Sequence, residues 1–432
     1  MASKLHLETA LLPGGWSTDV VLTVEHGTIV AIGASGGDAA ERIHGISVPG
    51  LPDLHSHAFQ RAMAGLTEQR GAATDSFWTW REQMYRFVDR LTPDDLEAIA
   101  ALAYIEMLEA GFTSVAEFHY LHHQPDGRPY DNIAEMSERI VAAADTAGIG
   151  LTLLPVLYRQ GGFGGQPASP GQRRFLNTRE SYARLMETRV PGGTIGIAPH
   201  SLRAVTLDDL TWAATTFPKG PAHIHISEQT REVDDCLAAH GKRPIDLLMD
   251  TVEIDARWFL IHATHADAGE IARLAAAQAT VGLCPITEAN LGDGLFDVPA
   301  LLARNGRFGV GSDSNVRISA ADELRTLEYG QRLTRRERNV LGDPRRSTGR
   351  RLFEAALGPN ALAVGQRADF VVLSGSGLGG DAALDHWIFA ADNAAVRSVY
   401  CGGVPVVQQG RHKDRDGLLA KYRNAVSRLL SG

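Results

Sequence analysis

Two histidines one residue apart, His55 and His57, follow an apolar run that ends at Leu54. In an extended chain the side chains at i and i+2 point to the same side, so both imidazoles can reach one cation. Histidine is also a favoured zinc ligand. Further candidate ligands stand at the ends of other apolar segments: His200 with Arg203 close behind, His223-Ile-His225-Ile-Ser-Glu228, His262-Ala-Thr-His265, and Gly311-Ser-Asp313. One histidine in such a place is more often structural than a ligand. Histidine or aspartate at five such ends makes a joint pattern that chance seldom produces. A catalytic zinc takes a few nitrogen and oxygen ligands and keeps one position open. His55, His57, one of the histidines at 223 and 225, and Asp313 complete such a set. The metal would lower the pKa of a water to about 7. A nearby carboxylate then moves protons from that water to a leaving group, and Glu228 is placed for this. No lysine stands at a strand end to form a carbamate bridge, so the count is one divalent cation.

These residues need a frame that collects strand ends. Candidate strands run over 46–54, 113–118, 150–157, 194–199, 222–226, 258–262, 280–284 and 307–311, with helical stretches between most of them. The clearest helix is 93–110, with Thr92 as N-cap, Pro93 at the first position, Asp94 and Asp95 in the first turn and Gly111 as the stop. Eight such units predict an α/β fold, a (β/α)8 barrel, whose chemistry lies at the carboxyl ends of its strands. Segments 20–24 and 28–32 flank His26-Gly27 as a hairpin, and similar strands recur at 368–373, 396–400 and 404–407. The chain ends therefore combine in a small β-sandwich (1–46 and 361–415) around the barrel (47–360), with a C-terminal helix at 416–432. Two long connections follow strands. Segment 68–91 carries Phe77, Trp78, Trp80 and Tyr85, and 160–177 is rich in glycine. Both are expected over the catalytic face as lids.

Composition narrows the partner. The 432 residues are 44% apolar and 22% charged, as in an ordinary globular protein. The formal net charge of -9, spread along the chain, argues against nucleic acid. An anionic ligand would need local arginines, because the overall field repels it. Cys236, Cys284 and Cys401 are odd in number and far apart, so a reducing, cytoplasmic setting is expected. No run of membrane-spanning length occurs, and no membrane partner is expected.

As a set, the His-x-His, the His225-x-x-Glu228, His262 and Asp313 resemble the amidohydrolase superfamily in its mononuclear deaminase branch. Longer segments sharpen the resemblance: Leu54-His-Ser-His-Ala-Phe-Gln-Arg-Ala-Met-Ala-Gly65, Ser76-Phe-Trp-Thr-Trp-Arg81, Ala116-Glu-Phe-His-Tyr120, Ala198-Pro-His-Ser-Leu-Arg203 and Thr287-Glu-Ala-Asn-Leu-Gly-Asp-Gly294. They are similar to a subfamily that deiminates N-formimino-L-glutamate in histidine degradation. The likeness runs to about residue 335, and Gly365–Asp369 looks like the returning β-domain. It implies zinc on His55, His57, His225 and Asp313, with His225 preferred because it stands three before Glu228. It implies Glu228 as proton shuttle, His262 polarising the group under attack, and Gln60, Arg81, Tyr120, His200 and Arg203 holding the substrate. It also implies a homodimer. Chemistry agrees, since the substrate has two carboxylates and arginine grips a carboxylate in a bidentate fork. One departure is Asn315, where the subfamily usually has histidine. The alternatives are a deaminase of another amidine, guanidine or heterocycle, and a metal-free binding scaffold.

Overall fold

Gly50 is where the chain leaves one sheet and enters another. The computed structural model describes residues 2–34, 41–69, 76–374 and 377–431. The strand expected over 46–54 is two strands in it, Glu41–Pro49 and Leu51–Ser56. A side chain at Gly50 would lie 2.2 Å from the Thr113 side chain, so only glycine lets the backbones pass there. Before the break the chain pairs with Ser3–Leu12 and with Phe370–Leu373. After it the chain pairs with Phe112–His119.

The second part belongs to a barrel. Leu51–Ser56, Phe112–His119, Gly150–Leu157 and Thr194–Ile195 run parallel in that order. Ala222–Ile226, Trp258–His262, Thr280–Leu283 and Arg307–Val310 form a second parallel run. Parallel bridges Ile197↔Ala222 and Ser56↔Asp313 join the two runs and close the ring. The segment expected as one strand over 194–199 is interrupted. Gly196 N–H donates to Leu153 while Ile197 N–H donates to Pro221, both at 3.0 Å, so the chain hands its bonds from the third strand to the fifth. Ala198–Pro199 then returns to the third strand. The strands are buried along most of their length, and their polar residues gather toward the carboxyl ends, as in His55 and His225.

The Pro93–Glu109 helix starts at Thr92, whose side chain accepts from Asp95 N–H at 3.3 Å, and it is buried along most of its length. Such a cap contributes about 1 kcal/mol. The helix Arg415–Ser431 packs on it, with Arg415 on Glu109 and Arg428 on Asp95. The two chain ends share one eight-stranded sheet, ordered Arg411–His412, Val404–Gln408, Val396–Cys401, Phe370–Leu373, Glu41–Pro49, Ser3–Leu12, Gly15–Glu25 and Thr28–Ala34. Leu5, Leu7, Leu22, Ile29 and Phe370 form its own small core. Among the described residues no helix is long and apolar enough to cross a membrane.

Candidate metal centre and substrate cleft

The carboxyl ends of the strands bring three imidazoles together. His55 Nε2 lies 3.2 Å from His57 Nε2 and 2.9 Å from His225 Nε2. The Nδ1–H of His57 donates to Phe118 C=O at 2.9 Å, and that of His225 to His200 C=O at 3.1 Å. Both rings therefore present Nε2 lone pairs to the same point. Burial holds His55, His57 and His225 below the usual imidazole range, His57 at about 3, so they are neutral near pH 7. Three buried acceptors facing one another without a donor for each repel, and a cation resolves that. Tetrahedral zinc with bonds of about 2.0–2.1 Å would set its nitrogens about 3.3 Å apart, close to the spacing here. Asp313 completes the set, its Oδ1 3.5 Å from His55 Nε2 and 3.4 Å from His57 Nε2. The donors fit one divalent cation. His223, the alternative on the fifth strand, stacks on Phe259 at 4.4 Å instead.

His262 closes the sixth strand beside this cluster. Its Nε2 is 3.8 Å from Asp313 Oδ2 and 3.9 Å from Glu228 Oε1, and its Nδ1 meets Glu288 Oε1 at 3.3 Å. Burial pulls its pKa down, but the carboxylates of Glu228, Glu288 and Asp313 outweigh that and push it to about 10. For Asp313, burial dominates and pushes its carboxyl up to about 7.

A cleft of about 590 Å³ of empty space, its mouth included, opens above these residues. His57, Gln60, Arg81, Tyr120, His200, Arg203, His225, Glu228, His262 and Asp313 all line it. His55 lies behind them, fully buried. The first long connection forms the helix Phe77–Val88 and presents Phe77, Trp80, Arg81, Met84 and Tyr85 to the cleft, the helical spacing of one face. Residues 70–75 of that connection lie outside the described residues. The second connection contributes Phe175. Trp78, at the edge of that face, gathers arginines: the guanidinium carbons of Arg81, Arg203 and Arg231 lie 4.6, 5.8 and 4.7 Å from its ring centre. Arg203 reaches Glu228 at 3.7 Å and Glu232 at 3.8 Å. Arg81 keeps a buried donor unused, its Nε, whereas Nε of Arg203 faces Glu232 beyond hydrogen-bonding distance. Such a donor suits an anionic ligand.

Several contributors escaped the sequence reading. Glu117 accepts from Ala58 N–H at 2.8 Å and so fixes the turn behind His57. Asp53 accepts from Ser312 N–H at 3.0 Å and Ser312 Oγ at 2.5 Å, tying the first strand to the eighth. Glu288 orients His262, and it lay in a segment already notable for its resemblance. Tyr158 lines the cleft with no pattern around it to signal a role.

Comparison with known proteins gives the geometry a family context. The sequence model of the Amidohydrolase family matches residues 46–406. A formimidoylglutamate deiminase of Pseudomonas aeruginosa is 50% identical, over 99% of this chain and 100% of its own length. A crystal structure of an amidohydrolase from Brucella melitensis superimposes with a TM-score of 0.96 at 49% identity, covering 99% of this chain and 100% of that one. An adenosine deaminase from Xanthomonas campestris, solved with bound zinc, shares the fold with a TM-score of 0.80 at 19% identity, covering 99% and 98%.

Proposed function

The chain belongs to the amidohydrolase family, and from that membership we propose that it hydrolyses N-formimino-L-glutamate to N-formyl-L-glutamate and ammonia. It is a hydrolase of C–N bonds in a linear amidine. The observation that carries the substrate is the pair Arg81 and Arg203 on the wall of the cleft that ends at the imidazole cluster. Two carboxylates on the ligand match two guanidinium groups in an otherwise acidic protein.

His55, His57, His225 and Asp313 would hold one divalent cation, zinc in our reading. When bound, such a cation is a Lewis acid that makes a water acidic near neutral pH. The chain's own groups do the rest. Adding water to the formimino carbon releases one proton and requires another at the departing nitrogen. Glu228 and Asp313 flank His262 Nε2 at 3.9 and 3.8 Å, so both carboxylates border the place where the carbon must sit. Asp313 or Glu228 takes the proton from the water, and Glu228 passes one to the nitrogen. From the protonated formimino group the C–N bond then breaks, ammonia leaves, and the hydroxyl proton on the new formyl oxygen passes to the freed carboxylate. His262 polarises the group under attack, with Nδ1 engaged by Glu288 and Nε2 facing the cleft. Gln60, Tyr120 and His200 line the same wall and complete the substrate contacts. We read the enzyme as cytoplasmic, which its three free, buried thiols suit, and as a homodimer, whose mass sedimentation would register.

The test is ammonia release by zinc-reconstituted protein from N-formimino-L-glutamate, with N-formimino-L-aspartate and guanine alongside. Fast turnover of the glutamate compound alone is expected. No turnover with one zinc bound per chain would keep the hydrolase and reject the substrate.

A further inference from the structure

Tyr158 follows the third barrel strand, Gly150–Leu157, and lines the cleft. Its backbone is clamped by Asn177. The Tyr158 N–H donates to Asn177 Oδ1 at 3.2 Å, and its C=O accepts from Asn177 N–H at 3.0 Å. Its ring meets His200 edge-on, with centroids 4.7 Å apart. The hydroxyl lies 2.6 Å from the side-chain nitrogen of Gln172, a residue 3% exposed on the second long connection.

The direction of that bond is decided one step away. The backbone N–H of Ser169 can only donate, and it reaches Gln172 Oε1 at 2.7 Å. The amide oxygen of Gln172 therefore faces Ser169, and its NH2 faces Tyr158. The phenol oxygen accepts, and its proton is left over. Among the described residues no second partner for the hydroxyl is found. Burial pushes the phenol pKa up, so the proton stays in place near neutrality. The charged groups that act on it are Arg203 and Arg81, neither of which can accept a hydrogen bond. A ligand entering the cleft can supply the acceptor in place of water, and near two guanidinium groups an anionic oxygen suits that place.

We propose that Tyr158 is a substrate-binding residue whose hydroxyl, aimed by Gln172, donates to the substrate carboxylate held by Arg81 and Arg203. The proposal rests on the dicarboxylate reading above and adds a neutral donor to it, with Gln172 as a positioning residue.

Tyr158→Phe removes only the hydroxyl. For N-formimino-L-glutamate, KM is expected to rise about ten- to a hundredfold with kcat little changed, the loss of one hydrogen bond to a charged group. On 4-formimidamidobutanoate or 2-formimidamidobutanoate, each lacking one carboxylate, the variant and wild type should differ by under threefold for one of the two. Calorimetry with N-formyl-L-glutamate gives the same comparison without turnover. Gln172→Glu keeps the Ser169 bond but accepts the phenol's hydrogen bond on its other carboxylate oxygen. It should weaken binding as Tyr158→Phe does and add little in the Tyr158→Phe background. A change under threefold on the dicarboxylate, or an equal loss on all three substrates, overturns the role of Tyr158. Additive losses overturn the aiming role of Gln172. If wild type turns over none of these compounds, the dicarboxylate reading itself fails, an outcome visible before any variant is compared.

Discussion

At the scale of single residues, the two arginines are not equivalent. Arg81 has its guanidinium on the Trp78 ring and pairs with no carboxylate among the described contacts, whereas Arg203 also faces Glu228 and Glu232. Arg81→Ala should raise KM for the dicarboxylate about ten- to a hundredfold with kcat near wild type. Arg203→Ala should raise KM similarly, lower kcat as well and reduce the melting temperature, because two buried carboxylates lose their cation. Equal kinetic profiles for the two variants would contradict this division. Asn315 answers the one departure from the subfamily pattern. It is fully buried and does not line the cleft. Its carboxamide donates to Ser56 Oγ at 3.1 Å and Asp313 C=O at 3.0 Å, and its oxygen lies 2.7 Å from Ser312 Oγ, whose one proton it shares with Asp53. Its φ of +56° is a left-handed conformation that asparagine tolerates well. Asn315→Ala should cost about 2–3 kcal/mol in denaturant unfolding and weaken metal retention, leaving KM unchanged. A raised KM would place Asn315 among the substrate contacts instead.

At the scale of elements, the two long connections are joined beneath the cleft. Arg174, fully buried in the second, donates from Nε to His123 C=O at 2.7 Å and from Nη1 to Val88 C=O, at the end of the helix Phe77–Val88. Its own C=O accepts from His122 and His123 N–H at 3.0 and 3.1 Å. One side chain thus ties the arginine-bearing helix to the loop after the second strand. Arg174→Met strands two buried carbonyls and should cost about 2–4 kcal/mol, with faster proteolytic cleavage within 160–177. Unchanged cleavage would mean the connections hold independently. The aromatic residues of 68–91 were visible in the sequence, but the helix that sets them on one face was not read from it. Nor was the Arg174 clasp, because its partners are main-chain carbonyls, which every residue carries.

At the scale of the whole molecule, the candidate ligands staple the ring where it closes. His55 and His57 come from the first strand, His225 from the fifth, and Asp313 from just past the eighth, at the bridge to Ser56. A cation bound at about a thousandfold its Kd stabilises the folded chain by about 4 kcal/mol. Chelation should therefore lower the melting temperature by several degrees in calorimetry, and zinc should restore it. An unchanged Tm after complete metal removal would show that the imidazoles pack without it. Residue types and their order along the chain determined much of this protein. The strand ends with histidine or aspartate, the barrel periodicity and the arginine pair are local, because ligand chemistry and strand register act over a few neighbouring residues. Only the tertiary structure decided that Gly50 divides one apolar run between two sheets and that Gln172 orients Tyr158. Those choices depend on atoms far apart in sequence, brought within hydrogen-bonding or steric reach when the ring closes.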